Sequence, residues 1–237
     1  AEVHQLVQRS PQSWFSPPRF CRGSSARHVL PLAGGTFNLL RNEHNCVFVV
    51  TSAHCVDWTK PDAALTRWDG IAGPPLAGRF FVPHALLGND RTLFRHSDVC
   101  AISLDDESRG RITAFMSETY GDAELPQFAT VPPAVGSAIA GVSYYGPVYG
   151  NIVESTPMCV RFAGQARRGN SGTLLFHDAD RSGAVGVLHG WALTDFVLSP
   201  LPSMSDNRAW HEVTPSNWPT LTDRCECLNA LCGNGSG

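Results

Sequence analysis

Three short segments of this chain hold residue types that together could carry out nucleophilic acyl transfer. In Val49-Val50-Thr51-Ser52-Ala53-His54-Cys55, an apolar run ends in small residues and a histidine. In Ser97-Asp98-Val99-Cys100-Ala101-Ile102, an aspartate stands at the head of a second apolar run. In Gly169-Asn170-Ser171-Gly172-Thr173-Leu174-Leu175, a serine flanked by glycines precedes a third. A serine hydroxyl is a weak nucleophile at neutral pH and needs a base beside it. An imidazole with a pKa near ~6.5 can take that proton and return it to a leaving amine. A buried carboxylate fixes the imidazole tautomer and stabilises the imidazolium that forms. Glycines beside the serine leave backbone N–H groups free to face an oxyanion, where side chains would block the turn. The amides of Gly169 and Ser171 are the candidate donors. A histidine after a strand, an aspartate opening one and a Gly-x-Ser-Gly turn are each commonplace. It is their ordered occurrence together that carries the chemistry.

The elements that must position them are short. Thr36–Leu40, Val47–Thr51, Arg79–Val82 and Val99–Leu104 are β-branched or aromatic runs separated by Gly, Asn, Asp and Pro. Residues of about 105–127 are polar and read as a connector. A second set of runs follows at 130–131, 137–142, 150–153, 173–176 and 184–188. Sustained helical periodicity is hard to find, and the 22 glycines and 17 prolines suit many strands joined by turns. The expected fold is all-β: two packed antiparallel β-barrels with the candidate site in the cleft between them. Residues 1–27 form an extension, 28–112 the first barrel, 113–127 the connector and 128–200 the second barrel. Residues 201–237, rich in Pro, Trp and Cys, are expected to be irregular.

Composition narrows the function classes. With 43% hydrophobic and 16% charged residues, the chain can bury a real core. A net charge of −3 with no basic stripe predicts no nucleic-acid partner. No run of apolar residues is long enough for a transmembrane helix. The first residues lack the basic-then-apolar pattern of a signal peptide. Eight cysteines permit disulfides without requiring them. The spacing Cys225-x-Cys227-x₄-Cys232, with His211 upstream, holds only half of a structural zinc pattern, so no metal and no cofactor are expected.

The three segments resemble the motifs of chymotrypsin-like serine proteases. Thr-Ser-Ala-His-Cys is similar to their Thr-Ala-Ala-His-Cys. Asp98-Val-Cys-Ala-Ile-Ser-Leu is similar to Asp-Ile-Ala-Leu-x-x-Leu, and Gly-Asn-Ser-Gly to Gly-Asp-Ser-Gly. The order His, Asp, Ser also agrees, over roughly residues 30–195. It excludes the α/β-hydrolase pattern, which needs Gly-x-Ser-x-Gly and the order Ser, Asp, His. The resemblance implies His54 as general acid–base, Asp98 as orienting carboxylate, Ser171 as nucleophile and a polypeptide substrate. A protease-like binding module without activity is the non-enzymatic alternative.

Two departures bear on the kind of protease. Cys46, not position 39, is the nearest upstream partner for Cys55, so the disulfide usual in secreted members is not evident. Asn170 stands where zymogen-type members carry the aspartate that pairs with a newly cut N-terminus. Asn170 cannot supply that charge, and no Ile-Val-Gly-Gly-like segment stands ready to provide the new terminus; both absences resemble viral polyprotein-processing members, whose substrates include their own polyprotein. That origin implies the host cytoplasm, and a secreted protease the extracellular space. The family's specificity pocket would take Gln165 and Ala166 at its base and His189 and Gly190 on its wall. A His189 ring in the pocket would favour Glu or Gln before the scissile bond. Strand alternation leaves open that the ring instead points into the barrel or packs beside Trp191.

Overall fold

The computed structural model describes residues 29–30, 36–42, 44, 46–62, 76–120, 127–143, 146–166, 170–177, 180–192 and 195–233. The first antiparallel sheet takes β1 (Val29–Leu30), β2 (Phe37–Arg41), β3 (Val47–Thr51), β4 (Gly78–Pro83), β5 (Cys100–Leu104) and β13 (Trp210–Glu212). Their spatial order is β1-β2-β3-β5-β4-β13. The second sheet takes β6 (Ala129–Thr130), β7 (Ala138–Ser143), β8 (Gly146–Thr156) and β9 (Cys159–Gln165). It continues with β10 (Leu174–His177), β11 (Asp180–Ala192) and β12 (Asp195–Pro200). Strand β10 pairs with both β7 and β11, so β7-β8-β9-β12-β11-β10 closes into a six-stranded barrel, and β6 adds to β11 at the outside. The all-β expectation of two packed antiparallel units holds.

The apolar runs are nearly continuous because both faces of the central strands are covered. On β5, Cys100, Ile102 and Leu104 face the core of the first unit. Ala101, on the opposite face, joins Val50, Leu174 and Val187 in a second cluster that cements the two units. A third cluster, including Ile152, Phe162, Leu175 and Val185, fills the closed barrel.

Among the described residues, four α-helices accompany the sheets: α1 (His84–Leu87), α2 (Arg91–Arg95), α3 (Asp106–Tyr120) and α4 (Trp218–Gly233). Two of them correct the sequence expectations. The polar stretch after β5 is helical over α3. Ser108 and Ile112 are its buried positions among those described, one turn apart. Over residues 106–114, so narrow a buried stripe leaves little apolar periodicity to detect. The C-terminal segment is not irregular either. Strand β13 pairs with β4 of the first sheet, and α4 buries Leu221, Cys225 and Leu228 in the first unit's core. Those three positions lie at helical spacing on one face. All three cysteines weighed above as a metal pattern therefore sit on this helix, with Cys225 in its core-facing stripe. Among the described residues, no group of three or more His, Cys, Asp or Glu side chains could hold a metal ion. No described helix is long and apolar enough to cross a membrane.

Candidate active site at the junction of the two sheets

His54 sits in a single 3₁₀ turn, Ala53–Cys55, at the end of β3. The turn is fixed from below: the Trp58 indole N–H donates to the Ala53 carbonyl at 2.9 Å, and Trp58 is itself buried. Asp98 lies between α2 and β5, next to the strand that pairs with β3, which brings it alongside His54. Asp90 starts α2 by accepting from the Thr92 and Leu93 amides, so the approach to Asp98 is fixed by a helix cap. The Asp98 carboxylate is 0% exposed. One oxygen accepts from the His54 backbone N–H at 3.0 Å, and the other stands 2.5 Å from His54 Nδ1. The Asp98 amide in turn donates to Ser199 Oγ of the second barrel at 3.1 Å.

Ser171 comes from the other sheet, in a turn just before β10. Gly172 follows at φ +85°, the left-handed region that favours glycine. A β-carbon there would stand 2.4 Å from the Thr36 carbonyl and 2.5 Å from Thr51 Oγ1. This is the concrete need for glycine at that position. The turn is tied to the first sheet by the Thr36 N–H, which donates to the Ser171 carbonyl at 3.0 Å. The Cys55 thiol, next to His54, lies 3.8 Å from the same carbonyl. The Ser171 hydroxyl donates to the His189 carbonyl at 3.3 Å. Asn170 is buried; its side-chain amide donates to Ser143 Oγ at 2.5 Å, and its carbonyl accepts from the Thr173 amide and hydroxyl.

His189 is where the structure departs most from the expected pocket. Its side chain is 5% exposed and turned toward the pair just described. Nδ1 stands 3.9 Å from the Asp98 carboxylate, and the ring centroid 5.9 Å from that of His54. The physical reason is a β-bulge. Leu188 pairs with Leu198 and Gly190 with the adjacent Val197, so His189 is the extra residue of β11. A bulge breaks the two-residue alternation on which the pocket assignment rested and re-aims one side chain. Gly190 is half-buried on β11, Gln165 ends β9 exposed, and Ala166 packs against the closed barrel's core. Gly169 lies outside the described residues, as does the Trp191 side chain.

The electrostatics follow from this burial. Burial pulls the His54 pKa down, but the Asp98 carboxylate, together with the neighbouring Cys55, outweighs it and holds the imidazole well above its usual value. For Asp98, burial pushes up, and the facing His54 and His189 prevail and lower it. His189 goes the other way: burial dominates and lowers its pKa, against the pull of Asp98. Burial pushes the Cys100 and Cys225 thiols far above their usual range, which makes both inert. Cys46 and Cys55 are free thiols and form no bridge with each other.

Sequence reasoning missed Asn38. It is fully buried on β2, donates to the Val50 carbonyl at 2.9 Å and to the Gly172 carbonyl at 2.6 Å, and accepts from the Leu174 N–H at 3.3 Å. One side chain thus joins the histidine-bearing strand to the serine-bearing turn. The available signal was a lone amide inside the apolar run Thr36-Phe37-Asn38-Leu39-Leu40.

No family model and no curated protein sequence matches this chain. Solved structures do resemble it. A Glu endopeptidase in complex with MPD is 14% identical, with 73% of this chain and 83% of that one covered and a TM-score of 0.44. The catalytically active tobacco etch virus protease complexed with product is 12% identical, with 87% and 89% covered and a TM-score of 0.46. The serine protease domain of the Sesbania mosaic virus polyprotein is 16% identical, with 72% and 86% covered and a TM-score of 0.43.

Proposed function

We propose that this chain is a serine endopeptidase that cleaves polypeptides through an acyl-enzyme. The observation that carries the reading is the buried His54–Asp98 pair on one sheet, facing a Ser171 turn that the second sheet holds at the same junction. In this mechanism, Ser171 Oγ attacks the scissile carbonyl while its proton passes to His54. Asp98 stabilises the resulting imidazolium, and His54 then protonates the leaving amine. Water repeats the sequence on the acyl-enzyme and returns Ser171. The Ser171 amide, with Gly169 by the family resemblance, would donate to the oxyanion. Substrate backbone pairing along β11 would draw on the same carbonyls that now include the acceptor of the Ser171 hydroxyl, releasing that hydroxyl toward His54.

Polyprotein processing is the finer reading. What supports it is Asn170, whose uncharged side chain is already held by Ser143, so the serine turn needs no ion pair with a freed N-terminus. A Glu or Gln preference loses the donor first assigned to it, because the His189 ring is turned to Asp98. The test pairs wild type with Ser171→Ala on a peptide library and maps fluorophosphonate labelling by mass spectrometry. Cleavage and labelling that both depend on Ser171 are the expected result. A wild type that cleaves nothing and takes no label overturns it. Cleavage after Glu, Gln, Lys and Phe in one peptide background reads the specificity.

A further inference from the structure

His189 meets every member of the proposed triad. Its ring faces the Asp98 carboxylate at 3.9 Å and the His54 ring at 5.9 Å between centroids. Its carbonyl accepts the Ser171 hydroxyl at 3.3 Å. The bulge at this position makes both contacts available to one residue. Regular alternation would set the next side chain on this face two residues away. We infer that His189 is a positioning residue of the triad: its neutral ring covers Asp98 and reserves that charge for His54, while its carbonyl holds the Ser171 hydroxyl at rest. The inference rests on reading His54, Asp98 and Ser171 as the catalytic groups.

The charges around the ring give this role a sign. The groups facing His189 are Asp98 before β5, His54 after β3, and the end of α2, where the ring hydrogen-bonds the Arg95 backbone and feels His96. Burial holds His189 neutral where His54 already titrates. A neutral ring leaves Asp98 as the one charge acting on His54 from this side. A cation in its place would neutralise Asp98, oppose the imidazolium and weaken His54 as a base. The neutral state of His189 therefore matters to the chemistry, and its ring is not interchangeable with a basic residue.

The experiment uses His189→Gln, which keeps a neutral polar group, and His189→Lys, which adds the charge. Readouts are kcat and KM against pH, and the His54 imidazole titration by NMR in a Ser171→Ala background. In His189→Lys, the acid limb of kcat/KM and the NMR titration of His54 should both move down by about 1–3 pH units, with kcat reduced. In His189→Gln, both should stay near the wild-type position, with any loss in kcat and not in KM. If His189→Lys does not fold, the Ser171→Ala background with His189 intact decides. There, the His54 resonance should show a second, smaller step at lower pH, absent when His189→Gln is added. Unmoved titrations in His189→Lys, or a missing second step, overturn the inference. So does a loss confined to KM for Glu and Gln substrates, which would make His189 a pocket residue. Absence of Ser171-dependent cleavage by wild type would sink the peptidase reading instead, while the NMR titrations would still decide the role of His189.

Discussion

His54 and Asp98 pull each other's proton affinities in opposite directions, and this sets two different pH dependences. The raised His54 pKa means the free base needed for attack appears only as pH rises through a value well above the usual one of about 6.5. The acid limb of kcat/KM should therefore lie on the neutral-to-alkaline side. Asp98→Asn should shift that limb to lower pH and cut kcat by about 10⁴-fold, as should loss of Ser171 or His54, without unfolding the chain. A pH–rate profile of Asp98→Asn that keeps the wild-type limb would contradict this. Stability follows the other rule. The His54 contribution is full below its unfolded value of about 6.5 and is lost as pH rises through the folded pKa. The Asp98 contribution is present above about 3.9 and is lost as pH falls through its lowered folded pKa. Denaturant midpoints should therefore peak on the acid side of the activity optimum, and this peak should flatten in Asp98→Asn. At Gly172 the constraint is steric. Its positive φ and the carbonyl and hydroxyl oxygens within 2.5 Å of any β-carbon predict that Gly172→Ala loses at least about 2 kcal/mol. For a chain of this size, a fall in Tm of about 4–8 °C reads that loss.

The elements beneath the site differ in how plainly the sequence announces them. Strands β3, β5 and β10 are legible because apolar residues crowd both faces, one against a core and one against the other sheet. The same double burial explains why the three motifs at strand ends mark the three candidate side chains. The α4 helix was missed for a specific reason. Its core stripe is Leu221, Cys225 and Leu228, and the cysteine drew attention to metal spacing instead of to periodicity. The bulge at His189 had one local signal, Gly190 inside the strand run, but which residue it displaces follows from how β12 pairs with β11. Asn38 was visible as an amide in an apolar run, but its partners come from three different segments. Helix α4 shares its core cluster with Ala53, Val56 and Trp58, which support the His54 turn. Leu221→Ala and Leu228→Ala should each cost about 2–5 kcal/mol, measured as a shift in denaturant midpoint. Because the cavity opens near that turn, kcat should fall as well. Full kcat in a Leu221→Ala protein that is still folded would show that α4 supports the fold without supporting His54.

At the scale of the whole molecule, the candidate catalytic groups are divided between two sheets, so their geometry is only as fixed as the junction. Polar ties cross it beside the apolar cluster. Ser52 Oγ donates to the Leu188 carbonyl at 2.9 Å, the Asp98 N–H to Ser199 Oγ, and the Thr36 N–H to the Ser171 carbonyl. Asn38 is the densest of these ties, with three bonds that span β2, β3, the serine turn and β10. Burial keeps the Gly172 carbonyl and the Leu174 N–H from water, so removing the amide takes a partner from each at about 1–3 kcal/mol apiece. Asn38→Ala should therefore lower stability by about 2–5 kcal/mol. Its effect on catalysis is separable from that loss. Asn38 touches neither the nucleophile's hydroxyl nor a substrate pocket, so KM should stay close to wild type. Yet a small shift of the Ser171 turn against the His54 turn misaligns attack and proton transfer, and such misplacement costs about 10²-fold in rate. The expected outcome, measured well below the variant's own Tm, is a kcat reduced between about 10- and 100-fold with KM little changed. Asn38→Asp sharpens the test. It keeps the acceptor for the Leu174 N–H but can no longer donate to the Val50 and Gly172 carbonyls, and it brings a buried charge against them. It should be at least as impaired as Asn38→Ala in both stability and kcat. An Asn38→Asp protein with wild-type kcat would mean that the apolar cluster alone aligns the two sheets.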